Sequence, residues 1–169
     1  MPVERLKTMH TDLGSMDRPY IRCSAPGPLN FVNVSTGLLS SGYSVRFRAP
    51  GDSMRPFIMD GDAITVSPVD PLAVKRGDII LYCFKGGVIA HSVVRIRRRQ
   101  DGEPLFILRG DLLCSADEPV EPQQILGRVV SVQRGGRSIY LDSTRARMMR
   151  TAYTLAFRLK RWVVGTFFD

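Results

Sequence analysis

Serine and histidine are the side chains in this sequence best placed to carry out acyl transfer. Ser53 lies in Gly51-Asp52-Ser53-Met54-Arg55-Pro56, directly after the turn signal Pro50-Gly51. Such a turn can hold a hydroxyl outward and leave nearby backbone N–H groups unpaired. A nucleophilic serine needs both: an exposed oxygen to attack a carbonyl, and donors for the oxyanion that results. Of the two histidines, His10 falls in a segment without clear periodicity, whereas His91 stands in the apolar run Val88–Ile96. Its neighbours Ala90, Val93 and Val94 predict partial burial. Neutral imidazole, with a pKa of about 6.5, takes up a serine proton near neutral pH. Lys85 is the alternative base for a Ser–Lys dyad, but Gly86-Gly87 place it on a turn. Taken singly, each residue also has a structural reading: a turn serine beside a core methionine, and a packed strand histidine.

These side chains need strands and turns to position them, and the periodicity supplies both. Val45, Phe47 and Ala49 alternate with Ser44, Arg46 and Arg48, the pattern of a half-buried strand. Further strands are predicted at Ala63–Ser67, Ile79–Phe84, Val88–Ile96, Leu105–Arg109, Ile125–Gln133 and Ser138–Leu141. Between them lie the turn signals Asp60-Gly61-Asp62, Arg76-Gly77-Asp78, Lys85-Gly86-Gly87, Asp101-Gly102 and Gly135-Gly136. Short strands with frequent turns predict a mainly β, antiparallel domain rather than a βαβ fold. Ahead of it, Phe31–Ser41 reads as a short helix through Val34, Leu38 and Leu39, broken at Gly42. The chain divides into a poorly ordered arm (1–30), a β domain (31–142) and a basic amphipathic helix (143–169).

Composition bounds the rest. The chain has 169 residues, 44% of them hydrophobic and 24% charged, enough for one sizeable core. Its net charge of +8 suits either an anionic partner or a solvated basic surface. The three cysteines, Cys23, Cys83 and Cys114, are odd in number and widely spaced, which predicts free thiols in a reducing compartment. Cys83 reads as core packing. The first thirty residues contain acidic residues and no apolar core segment, so no secretory signal is expected. No long uninterrupted apolar stretch suggests a spanning helix, so the expected location is cytoplasmic or peripheral on the inner membrane.

Ser-Met-x-Pro at Ser53–Pro56 resembles the nucleophile box of type I signal peptidases. Asp60-Gly61-Asp62 and Arg76-Gly77-Asp78-Ile79-Ile80 continue the likeness into the strand around His91. Bacterial members usually carry lysine at the base position. The chain resembles the branch that uses histidine. Leu108-Arg109-Gly110-Asp111, Asp117 and Ile125-Leu126-Gly127-Arg128-Val129 are similar to the family's closing boxes. The likeness runs from Val45 to Val132, about half the chain. It implies an all-β catalytic fold shared with self-cleaving SOS-type repressors. It further implies Ser53 as nucleophile with its own N–H in the oxyanion site, and His91 as base. Asp117, or alternatively Asp111, would orient His91. The expected activity is a serine endopeptidase that cleaves an extended peptide or precursor protein after small residues, without metal or organic cofactor. The alternatives are a self-cleaving regulator and an inactive peptide-binding β module. The chain departs from the family at Gly51, where a serine is frequent, at Asp52, where glycine is common, and at Ser92, where arginine often follows the histidine. A carboxylate at Asp52 would oppose an oxyanion if it pointed inward.

The C-terminal segment places Met148, Ala152, Leu155, Leu159 and Trp162 on one helical stripe, and Arg147, Arg150, Thr154, Arg158 and Arg161 on the other. Six basic side chains lie between Arg145 and Phe168. This pattern fits a helix lying on an anionic membrane surface. It equally fits a stripe packed on the β domain or on a second copy in a homo-oligomer. Nucleic acid is the weaker partner for the same charges.

Overall fold

The computed structural model describes residues 31–85, 87–111, 119–150, 152–153 and 156. The expected arm lies outside the described residues. Among the described residues seven strands form the sheet: β1 (Val45–Arg48), β2 (Ala63–Ser67), β3 (Ile79–Phe84), β4 (Gly87–Arg98), β5 (Pro104–Arg109), β6 (Ile125–Arg134) and β7 (Arg137–Tyr140). Their order is β1-β2-β6-β3-β4-β5, with β7 added on β6, and every pairing is antiparallel. The mainly β, antiparallel expectation is therefore met. Gly135 and Gly136, at φ 53° and 76°, form the two-residue turn from β6 to β7 that requires positive φ at both positions.

The central strand β3 is buried on both faces, and its side chains alternate between two apolar clusters. Ile79 and Leu81 pack with Leu39, Val45, Met54, Ile58, Ile64 and Val129. Ile80 and Tyr82 pack with Val93, Phe106, Leu108 and Val120. The alternation follows from the two-residue repeat of a strand. β6 crosses β2 at very close range: a Cβ on Gly127 would stand 2.6 Å from the Ser67 carbonyl oxygen and 2.8 Å from Val66 Cγ1. Only glycine lets the two backbones approach that far.

The short helix α1 (Phe31–Ser40) forms as expected, but it presents a different face to the sheet. Leu39 is buried, whereas Val34 and Leu38 are exposed, and Ser35 and Thr36 lie inward instead. Ser35 is tolerated there because its Oγ donates to the Phe31 carbonyl at 2.6 Å. At the helix end Tyr43 N–H reaches the Leu38 carbonyl and Gly42 N–H the Leu39 carbonyl, with Gly42 at φ 88°. This is the double bond of a Schellman cap, and glycine supplies its left-handed residue.

A second helix runs through 144–150, with 152, 153 and 156 also helical. Ser143 caps it, accepting Ala146 N–H on its Oγ at 3.1 Å. The described part of this helix does not pack on the domain by its apolar stripe. Arg147 and Arg150 dock on the β domain, and Arg150 is only 3% exposed, while Met148 of the apolar stripe is 68% exposed. The reason lies in what the domain offers. Arg147 Nη1 meets the fully buried Asp78 carboxylate at 3.2 Å. Arg150 donates to the carbonyls of Leu141 at 3.0 Å and Gly77 at 2.6 Å. Buried acceptors hold a guanidinium more firmly than water holds it at the surface. Two of the six cations are thereby taken from any lipid-facing surface. Among the described residues no helix is long and apolar enough to cross a membrane.

Cys83 is also corrected, because it is disulfide-bonded. Sequence spacing does not reveal which positions meet in space. The thiol argument for a reducing compartment falls with it.

Candidate active site

Ser53 stands in the turn region between β1 and β2. The side chains flanking its loop are anchored in the core: Met54 and Ile58 are buried in the cluster under β2. The chain closes on itself there, with Phe57 N–H and Ile58 N–H both bonded to the Met54 carbonyl. Met54 is buried, whereas Ser53 beside it is only partly buried. Below the turn, Arg134 grips Asp62 through Nε at 3.0 Å and Nη2 at 2.6 Å. The same Nη2 donates to the carbonyls of Pro56 and Phe57, each at 3.3 Å. Hydrogen bonding to Arg134 holds the Asp62 carboxyl below its ordinary pKa, against the opposing effect of burial.

His91 is brought to Ser53 by β4. It pairs with Ile80 across β3 and is 5% exposed. Its Nε2 lies 3.3 Å from Ser53 Oγ, although the two residues are 38 positions apart. On the other ring nitrogen, Nδ1 lies 3.3 Å from the Tyr82 hydroxyl. A serine hydroxyl on imidazole Nε2 is the arrangement in which a base can take the serine proton. Lys85 is elsewhere: it occupies the turn after β3 at φ 48°, its ammonium 5.0 Å from the centre of the Phe84 ring.

The backbone around Ser53 also offers a donor. Gly51 N–H is taken by Asp60 Oδ1 at 2.7 Å, but Ser53 N–H makes no hydrogen bond among the described residues. Asp52 does not point at the nucleophile. Its Oδ1 accepts from Asp60 N–H at 3.4 Å and lies 3.6 Å from Arg55 Nε. The charge that would oppose an oxyanion is thus directed along the surface.

The two candidate carboxylates fare differently. Asp117 lies outside the described residues. Asp111 follows β5 and is buried. Burial pushes its carboxyl up to about pKa 6, opposed by Ser92 and by the charges of Arg150 and Arg109. The Ser92 hydroxyl approaches without reaching hydrogen-bond geometry, and Asp111 Oδ2 has no partner among the described residues. The described structure therefore brings together Ser53 and His91, and sets Asp111 among arginines.

A cavity of about 410 Å³ opens beside Ser53. Phe47, Met54, Ile58, Leu81, Val88 and Ala90 form much of its wall, with Phe31 at its edge. Arg48 also lines it, but the wall is mostly apolar, so it favours apolar occupants over charged ones. Among the described residues its neighbour β1 is the end strand of the sheet, the kind of strand on which an extended chain can pair. Among the described residues no cluster of His, Cys, Asp or Glu could hold a metal ion. Tyr82 and Arg134 carry no signal in the sequence that marks them: one reads as strand core, the other as a basic strand end.

No family model and no curated protein matches the chain.

Proposed function

We propose that the chain is a serine endopeptidase of the signal-peptidase type, with Ser53 as nucleophile and His91 as general base. The observation that carries this reading is the 3.3 Å approach of His91 Nε2 to Ser53 Oγ at the mouth of an apolar cavity. The Ser53 hydroxyl proton passes to Nε2 as Oγ bonds to the substrate carbonyl carbon. The carbonyl oxygen takes the negative charge and is met by Ser53 N–H. The tetrahedral adduct then collapses: the C–N bond breaks, Nε2 returns the proton to the leaving amine, and an acyl-enzyme remains. Water, deprotonated by His91, then attacks the ester carbon; the C–Oγ bond breaks, Nε2 returns the proton to Ser53 Oγ, and the acid leaves. Asp117 remains the proposed orienting carboxylate. The substrate is an extended peptide with small apolar side chains before the cleaved bond, in keeping with the apolar cavity and with β1 at the sheet's edge.

A fluorophosphonate probe tests this directly. We expect one adduct on Ser53, absent in Ser53→Ala, sharply reduced in His91→Ala, and lost on denaturation. Cleavage of a small-residue peptide library falls by more than about a thousandfold in either variant. Full activity in His91→Ala, or labelling spread over other serines, sinks the assignment.

A further inference from the structure

We propose that Arg46 and Arg48 select an extended peptide whose acidic side chains alternate with the ones that enter the apolar cavity. That these acidic positions are the second and fourth before a cleaved bond rests on the peptidase reading; the charge recognition does not.

Strand β1 has two chemically different faces. Val45 is buried and Phe47 partly buried against the apolar cluster, while Arg46 and Arg48 are exposed on the opposite face. Phe47 lines the cavity beside Ser53. Arg46 and Arg48 line an open recess of about 590 Å³ together with Gln133 and the turn Gly135-Gly136. Across the sheet, Arg48 pairs with Ala63 and Ala63 with Gln133, so its neighbours there carry no charge. Ala49 N–H bonds to the Asp62 carbonyl at 2.9 Å. By the alternation of an antiparallel ladder, Arg46 and Arg48 then direct their main-chain groups away from β2. An extended chain laid along that side turns its side chains alternately to the same two faces, whichever way it runs. The residue before the cleaved bond enters the cavity, and the next one back turns to the arginines. Arg48 lines both the cavity and the recess, whereas Arg46 lines the recess. Arg48 therefore meets the second position and Arg46 the fourth.

Both guanidinium groups hold uncharged partners among the described residues. Arg46 Nη2 donates to Gln133 Oε1, and Arg48 Nη1 donates to the Gly61 carbonyl at 2.9 Å. Each bond orients a fork that has further donors to offer a carboxylate. The acidic residues of the nucleophile loop are directed elsewhere. Asp60 Oδ1 accepts Gly51 N–H at 2.7 Å, and Asp52 Oδ1 lies 3.6 Å from Arg55 Nε. Carboxylates at alternate peptide positions would meet two oriented cations at the matching two-residue spacing. A lysine in the same place would face like charge, so the arginines discriminate more strongly than they bind.

The experiment uses the full chain carrying Ser53→Ala, which binds without cutting, and capped peptides with alanine at the first and third positions. The second and fourth positions are both aspartate, both asparagine or both lysine. By fluorescence anisotropy we expect the aspartate peptide to bind about fivefold tighter than the asparagine peptide, with the lysine peptide weakest. Adding Arg46→Gln and Arg48→Gln together should bring the three within about twofold, and Arg46→Glu with Arg48→Glu should reverse their order. In the chain with Ser53 intact, kcat/KM should follow the same order as binding. Equal binding of the aspartate and asparagine peptides overturns the proposal, as does a preference that survives the double glutamine change or the absence of binding by any peptide. If the aspartate peptide is preferred but the wild type neither cleaves it nor takes the fluorophosphonate probe, the peptidase reading fails and the charge recognition stands.

Discussion

Arg134 and Asp62, 72 positions apart, form a two-pronged ion pair directly beneath the loop that carries Ser53. The guanidinium ties the end of β6 to the start of β2 and also holds two carbonyls of the nucleophile loop. Removing it leaves Asp62 buried without its cation. We expect Arg134→Ala to cost about 1–3 kcal/mol in urea unfolding, since an orphaned buried group loses its compensation. The Asp62 carboxyl is depressed in the fold, so this stability is present above its ordinary pKa of 3.8 and lost as pH falls further. The gap between variant and wild type should therefore narrow in strong acid. A gap that is constant with pH would show that the pair contributes nothing through charge.

Asp111 gives the opposite sign. Its carboxyl is raised from 3.8 to about 6 by burial. Between those values the folded state holds a proton that the unfolded state has released, so stability falls as pH rises through this window. A shift of about two units corresponds to roughly 3 kcal/mol at most. We expect Asp111→Asn to flatten this part of the stability–pH curve and to be at least as stable as wild type at neutral pH. A wild-type curve that rises between about pH 4 and 6 would contradict the buried carboxyl.

Gly127 sits where β6 passes closest to the Ser67 carbonyl, leaving no room for a side chain. Gly127→Ala places a methyl 2.6 Å from a backbone oxygen that cannot swing aside. The strands must separate, at a cost of about 2 kcal/mol, visible as a lower urea midpoint with an unchanged slope. Wild-type stability in this variant would mean that β2 and β6 do not approach so closely.

The C-terminal helix is docked by arginines, and two exposed or buried positions separate that from packing by its apolar stripe. Arg150→Met leaves the Leu141 and Gly77 carbonyls without their donor. It should cost about 2 kcal/mol and strip hydrogen-exchange protection from 144–150. Met148→Glu, at a solvent-exposed site, should change stability by less than about 0.5 kcal/mol. The reverse order would mean that the apolar face is the docked one.

Strand placement was legible because alternation and turn residues are local properties. Ala63–Ser67 and Ile79–Phe84 coincide with β2 and β3 residue for residue. The serine turn was legible for the same reason: Pro50-Gly51 and Pro56 mark it, and Gly51 does adopt the positive φ of 86° that such a turn uses. Burial of His91 followed from its apolar neighbours. The facing of the helices was not legible. Val34, Leu38 and Met148 look like core residues in a helical projection, yet the sheet offers α1 a face that takes Ser35 and Thr36. It offers the C-terminal helix a buried aspartate and two carbonyls.

By itself, then, the sequence determines the β-rich antiparallel architecture and the two residue types able to share a proton, since both follow from local pattern and intrinsic chemistry. Only the tertiary structure decides that Nε2 of His91 meets Ser53, that Tyr82 meets Nδ1, that Asp52 turns to Arg55, and that Asp111 stands among arginines. Those relations depend on strand register and on which distant acceptors become buried. Register shifted by a single residue would turn His91 to the other face of the sheet.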